Sequence, residues 1–481
     1  MKISKFIIAI TLLTALTSCN DWLTISPKNQ VDEDQLFETG LGYRNALNGI
    51  YQNMAAGSMY GREMTWGALD VLARYYDVSY LPKNWSTIAD YNYKDKNVKP
   101  LIDNIWSKTY NSIANANNLL SRIDGEDPLK FAGEELEKNV IKGEALALRA
   151  FLHFEMVRLF APSKDDGQTY IPYFEKYPST YESRATINDV MEKVIRDLNA
   201  AKDLVAPYDT LGTREDRMSY YYRFSSSSSN TAILGITDIF EAYRGFRMNY
   251  YAINAVLARA YAYVGKYQEA FNTTQIIIDA KDNSANLFRF TPEESISAKP
   301  KLHDDLIFAL SNEKLLDNYL SYYNTPEVIL YLDIYDKEDM FDDPADYRGK
   351  KLVAEVNDWW YQSLKYSLNA TSDPQTNEIM IPMLRLSEMY YIRAEYYAHS
   401  NMFKEATNEL DIVRRGRNCT VGRLDITSMT EFNSELINEA KREFVGEGQL
   451  WFYYKKLNIK PKRSMPDEAF ILPLPESETI N

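Results

Sequence analysis

Residues Lys142 to Pro162 read KGEALALRAFLHFEMVRLFAP. On a helix, Ile141, Ala145, Leu148, Leu152, Met156 and Leu159 recur at steps of three and four, which places them on one face. Ala147, Ala150, Phe151, Phe154, Val157 and Phe160 fill most of the remaining circumference, leaving Glu144, Glu155 and Arg158 as a narrow polar edge. A helix apolar nearly all round is buried on more than one side. Its alanines let neighbouring helices approach closely. The stretch therefore predicts a central helix in a helical stack, ended by Pro162.

Working outward, Leu36 to Met54 and Leu101 to Ile123 carry the same periodicity. Thr186 to Ala206 is amphipathic, with Val190, Val194, Leu198, Ala201 and Leu204 on the buried side and Thr186 with Asp189 as an N-terminal cap. A repeat follows. Ala258-Arg259-Ala260-Tyr261-Ala262 with Gly265-Lys266-Tyr267-Gln268-Glu269-Ala270 is echoed by Ala394-Glu395-Tyr396-Tyr397-Ala398 with Asn401-Met402-Phe403-Lys404-Glu405-Ala406. Small residues and a tyrosine at these positions let helices nest, as in tetratricopeptide pairs. Periodicity fades in three places, around 57–100, 207–245 (with the Ser225–Ser229 run) and 280–380. The expected architecture is mostly α: a tetratricopeptide-like helical repeat core with long irregular insertions, forming one domain over 36–481.

The 481 residues are 45% hydrophobic and 25% charged, a globular composition. Lys and Arg number 54 against 68 Asp and Glu, a formal net charge of −14 with no basic cluster, which argues against nucleic acid. The 37 tyrosines, against 3 histidines, supply amphipathic rings that suit wet, polar ligands or pack in a helical core.

The first residues read as an export signal. Met1 to Lys5 is short and basic, and Phe6 to Leu16 is an apolar run too short to span a bilayer. Leu16-Thr17-Ser18-Cys19 then matches a bacterial lipobox, in which Cys19 is acylated. This gives a signal peptide over 1–18 and a polar, lipid-anchored lead-in over 19–35. Multiple acyl chains give stable attachment to a membrane. Cys419 is then left without a disulfide partner.

Six elements in order resemble the SusD/RagB family of nutrient-uptake outer-membrane lipoproteins, in a divergent branch. They are Cys19-Asn20-Asp21-Trp22-Leu23 after the lipobox, Trp106/Tyr110/Ile113/Asn117, the Lys142–Pro162 helix, Leu384 to Glu395, Glu443/Glu447/Gly448/Trp451, and Pro473-Leu474-Pro475-Glu476. Ala440, Leu450 and Tyr453 stand where the family usually carries charged residues, so the charge network of its C-terminal helix is absent or rebuilt here. The resemblance implies a non-catalytic, cofactor-free binder that hands an oligosaccharide to a SusC-like TonB-dependent transporter. Peptide-binding members make a peptide the alternative ligand. A surface glycosidase or a repeat scaffold without a small ligand are the other classes.

No catalytic constellation emerges from the residues. His153, His303 and His399 lack ligand spacing, and no nucleophile elbow or phosphate loop is present. His153 reads as a hydrogen-bonded core histidine, and Asp342, Asp343 and Asp346 as a solvated acidic loop rather than a calcium site. Binding remains. Sugars present apolar C–H faces and hydroxyl edges, which suit aromatic platforms beside amides. The segment 57–100 offers Trp66, Tyr80, Asn84, Trp85 and Tyr91; the central insertion offers Trp359, Trp360 and Tyr361. The resemblance implies a ligand site drawn from these two regions. Packing over hydrophobic surface is the competing role for each ring.

Overall fold

The computed structural model describes residues 33–179, 181–211, 216–225, 234–236, 238–282, 285–367, 374–420, 422 and 424–478. Cys19, most of its lead-in and most of the Ser225–Ser229 run lie outside them. The longer helices are α1 (Gly40–Met54), α2 (Lys99–Ile123), α3 (Glu134–Phe160), α4 (Ile187–Thr210), α5 (Tyr250–Tyr263), α6 (Tyr267–Ile278), α7 (Leu315–Tyr323), α8 (Leu386–His399), α9 (Phe403–Gly416), α10 (Met429–Glu443) and α11 (Gln449–Leu457). Successive helices from α1 to α6 pack side by side, then α6 against α8 and α8 against α9.

The stretch Lys142–Pro162 forms the C-terminal two thirds of α3, which is buried from Ala147 to Phe160 without a break. Ala161 is extended, as the residue before a proline prefers, and the helix ends there. The polar edge is not solvated. Glu144 accepts hydrogen bonds from Tyr51 Oη (2.8 Å), Arg244 Nη1 (2.6 Å) and Arg247 Nε (2.9 Å). Burial pushes its carboxyl up, but the two guanidiniums outweigh burial and hold it below the usual range. Arg149 Nε donates to Asp197 Oδ2 on α4 (2.8 Å), and Nη1 donates to Asn117 on α2 (3.0 Å), tying three helices together. His153 is a core histidine: its Nδ1 lies 2.9 Å from the Arg149 carbonyl and Nε2 accepts from Phe174 N (3.0 Å).

The repeat pairs are α5/α6 and α8/α9. Gly265 (φ +76°) and Asn401 (φ +58°) occupy the same place in each, at the reversal between helices. A left-handed residue is needed there, and glycine and asparagine are the ones that adopt it at low cost. At α4, Thr186 Oγ1 accepts from Asp189 N (3.2 Å), as the cap signature predicts.

The insertions differ from their irregular reading. Within 57–100, short helices at Ala68–Leu72 and Lys83–Ala89 pack into the core. Within 280–380, β1 (Leu306–Ser311) pairs antiparallel with β4 (Met380–Arg385), and β2 (Val353–Val356) forms a hairpin with β3 (Trp360–Ser363). These short strands escape sequence periodicity because β1 and β4 are buried on both faces and show no alternation.

The charge network is rebuilt. Glu439 on α10 accepts from Arg414 (2.8 Å) and Arg442 (2.6 Å), while Glu443 accepts from Arg348 (2.9 Å) and Arg417 (3.1 Å). Ala440 and Leu450 sit in the apolar core beside it. Of the three aspartates of the acidic loop only Asp342 is solvated, and it pairs with Arg414 from the surface; Asp346 is buried and pairs with Arg348, and Asp343 is buried and accepts from Thr420 N. Glu447 holds Lys365 (2.6 Å) and Arg385 (2.7 Å). Asp70 then receives Gly446 N (2.7 Å) and Gly448 N (3.0 Å), joining the 57–100 insertion to the C-terminal helices.

Candidate functional site

Three segments are zipped together by backbone hydrogen bonds on one side of the stack. Asp77 N donates to Tyr331 O (2.9 Å), Ile329 N to Tyr80 O (3.1 Å), and Leu332 N to Tyr361 O (2.7 Å). The segment 76–80 comes from the first insertion, and 329–332 and the β2–β3 hairpin from the third. Tyr80 ends a single 3-10 turn, Val78–Tyr80, whose Asp77 side chain caps Ser79 N (2.9 Å). The hairpin reverses at Asn357 (φ +54°) and Asp358 (φ +63°), with Trp359 N donating to Val356 O (3.5 Å). Asn and Asp tolerate the left-handed region such a turn demands, so this reversal has a local cause.

The zipper sets three rings against one another. Tyr331 and Trp360 stack at 4.9 Å between centroids and 19° between planes. Tyr80 meets both edge-on, at 5.0 Å from Tyr331 and 5.1 Å from Trp360. Tyr80 and Trp360 are half-buried: rigidly packed on one side, open on the other. Trp359 is 79% exposed at the turn, and Tyr335, four residues after Tyr331, is 95% exposed. Rings so exposed are available to meet a ligand or a partner.

The other candidates have structural roles, which corrects the sequence reading. Trp66 is fully buried, edge-on to Trp85 (6.0 Å), Tyr319 (5.1 Å) and Tyr322 (5.7 Å). Trp85 is also buried, stacked on Tyr322 at 4.9 Å, and its Nε1 donates to Glu63 (3.1 Å). Tyr91 is buried against Trp451 with its hydroxyl on Leu72 O (3.4 Å). Tyr361 points to the face opposite Trp360 and is 8% exposed. Asn84 is half-buried in the first turn of Lys83–Ala89, four residues after Tyr80. The two regions thus meet through Tyr80 and Trp360, with Trp359 beside them. Tyr331 and Tyr335 were not singled out from sequence. Their signal was faint: two tyrosines one helical turn apart in a segment with no helical pattern.

The titratable groups named from sequence are occupied elsewhere. Burial lowers His153 and His303 to about 3, so both are neutral. His303 Nε2 lies 3.2 Å from Asn377 Oδ1, and His399 stacks on Tyr267 at 4.0 Å. Burial pushes the Cys419 thiol up to about 12, which makes it inert as a thiolate. Among the described residues, no helix is long and apolar enough to cross a membrane.

Two family models match the chain: "Starch-binding associating with outer membrane" over residues 21–231, and "SusD family" over residues 337–456. Two proteins of Formosa agariphila, SusD-like proteins P2 and P25, are 26% identical over 204 residues and 25% identical over 220. Those matches cover 40% and 42% of this chain but only 36% and 38% of the relatives. A SusD superfamily protein from Bacteroides thetaiotaomicron superposes with a TM-score of 0.67 at 22% identity, covering 92% of this chain and 97% of that one. A SusD-like carbohydrate binding protein from Bacteroides vulgatus superposes with a TM-score of 0.65 at 19% identity, covering 87% and 84%. At these identities the superpositions speak for the fold alone.

Proposed function

We propose that this chain, which belongs to the SusD/RagB family, is a surface lipoprotein that binds an oligosaccharide non-covalently and delivers it to a SusC-like TonB-dependent transporter in the outer membrane. The observation that carries the reading is the Tyr80–Tyr331–Trp360 platform, where rings from two distant insertions are locked together, a buried Tyr331 backing the half-buried Tyr80 and Trp360. A pyranose ring lays its C–H face on such a platform. Trp359 and Tyr335, on the same segments, extend the aromatic surface outward. The rings are held by backbone bonds before ligand arrives, so little ordering is required on binding. Acylation at Cys19 would tether the chain at the membrane, where the transporter resides.

The test is a titration of the full chain, solubilised in mild detergent, against a panel of neutral and uronic oligosaccharides, with product analysis in parallel. Binding without shortened products, weakened in Trp360→Ala, is the expected result. Shortened products would identify a glycosidase. Binding of peptides and of no glycan would overturn the ligand class. Cys19→Ala should move the protein out of the membrane fraction, and a variant that stays attached would refute the anchor.

A further inference from the structure

Away from the platform, a cleft of about 920 Å³ opens between α1, the segment 239–247 and the end of β1. One wall is a stripe of α1 at helical spacing: Arg44, Asn45, Asn48 and Gln52. The facing wall carries Phe240, Tyr243 and Phe246. These walls are rigid. Arg44 is held by Glu137 (2.6 and 2.7 Å) and Asp238 (2.7 Å), and Arg247 by Glu144 (2.9 Å) and Asn48 (2.5 Å). Both guanidiniums lie over the Phe240 ring, at 4.5 and 4.9 Å. Tyr243 is fixed in the left-handed region (φ +55°), a costly conformation for a bulky residue that tends to be kept where function uses it.

The lining defines what would fit. Each guanidinium is countered by a carboxylate at hydrogen-bond distance, and the lining carries one Glu313 for one Lys314, so no surplus charge waits for an anion. Asn45 and Gln52 are exposed and have no hydrogen-bond partner among the described residues. Amides both donate and accept, as hydroxyls do. Arg247 Nη2, in the same wall, is buried without an acceptor. Rings facing amides suit a ligand with apolar ring faces and a hydroxyl edge.

We propose that this cleft is a second binding site, independent of the aromatic platform, for a neutral, hydroxyl-rich oligosaccharide segment. Helix α7 separates the two: Lys314 at its start lines the cleft, and Tyr323 at its end accepts from Gln362 of the hairpin (2.9 Å). Nine helical residues place them roughly 14 Å apart along the axis.

The full chain in detergent is titrated with neutral and uronic oligosaccharides and with a peptide pool, first as wild type and then as Trp359→Ala/Trp360→Ala. The platform variant then receives Asn45→Ala/Gln52→Ala, which leaves no partner unsatisfied and favours the helix. Expected is residual neutral-glycan binding in the platform variant that the amide substitutions weaken roughly thirtyfold. Residual binding untouched by them, or shown only by uronic glycans or peptides, overturns the cleft site. A platform variant that binds nothing while wild type binds overturns the cleft alone. A platform variant that binds as wild type and loses binding only with the amides keeps the cleft and overturns the platform. A wild type that binds no glycan overturns both.

Discussion

Trp66 and Trp359 both belong to aromatic segments that read as ligand-binding, and the structure places the first in the core and the second on the surface. Trp66→Ala removes a fully buried indole that touches Trp85, Tyr319 and Tyr322. Truncating a buried tryptophan to alanine costs about 3–5 kcal/mol. Three edge-on ring pairs at 5.1–6.0 Å are lost with it, which argues for the upper end of that range. One feature works the other way. The Trp66 indole N–H is buried without an acceptor, and deleting such a donor returns about 1–3 kcal/mol. The net expectation is a loss of about 3 kcal/mol. Trp66→Phe, which keeps a ring and drops the orphaned N–H, should cost distinctly less. Trp359→Ala, at a turn and 79% exposed, should change stability by no more than about 0.5 kcal/mol. Guanidinium unfolding followed by circular dichroism measures all three on one scale. Wild-type stability in Trp66→Ala, or a loss near 3 kcal/mol in Trp359→Ala, would refute the division between core and surface rings.

Three further expectations follow from the core. Gly448 has φ +69°, and an added Cβ would stand 2.3 Å from Met64 O, so Gly448→Ala should disturb the Asp70 bonds and cost about 3 kcal/mol or more, read from thermal unfolding. Burial holds His153 and His303 at about 3, below the ordinary value near 6.5, so the unfolded chain takes up protons that the fold refuses. Their contribution to stability is complete above about pH 6.5 and is lost as pH falls toward 3; NMR of the imidazoles should show no titration of either between pH 8 and 5, and an inflection there contradicts it. Burial raises Glu439, but Arg348, Arg442 and Arg414 outweigh it and hold it at about 2. Its folded value lies below the unfolded one, so the ionised form stabilises above about pH 4.3 and the gain is lost as pH falls to 2. Glu439→Gln should therefore lower stability at pH 7 by roughly 3 kcal/mol and flatten the acid limb of the unfolding curve.

The repeat core was legible because its determinants are local. Apolar spacing, the Thr186 cap, the reversals at Gly265 and Asn401, and the stop at Pro162 each act within a few residues. The partners of the buried charges were not legible for the same reason. On a helical wheel Glu144 shows only as part of a narrow polar edge, and Arg149 as a charge on a mostly apolar helix. Their partners Arg244, Arg247 and Asp197 are 48 to 103 residues away in sequence, and no local pattern announces them. The rebuilt network around Glu439 and Glu443 had a partial signal in the unfamiliar residues Ala440, Leu450 and Tyr453, but the arginines that complete it come from α9 and the third insertion.

The aromatic segments show where sequence reasoning reaches its limit for function. A tryptophan lowers its free energy equally well in a core or against a ligand, and composition cannot tell which surface will cover it. What separates Trp66 from Trp360 is the backbone zipper joining 76–80, 329–332 and the hairpin, a long-range register set by hydrogen bonds that no side-chain pattern encodes. That register turns Tyr361 inward and leaves Trp360 against Tyr331 and Tyr80, because neighbouring residues of a strand face opposite ways. A one-residue slip of the hairpin would exchange the two rings and bury the platform. The site is therefore specified less by which aromatics the insertions contain than by the pairing that fixes their phase.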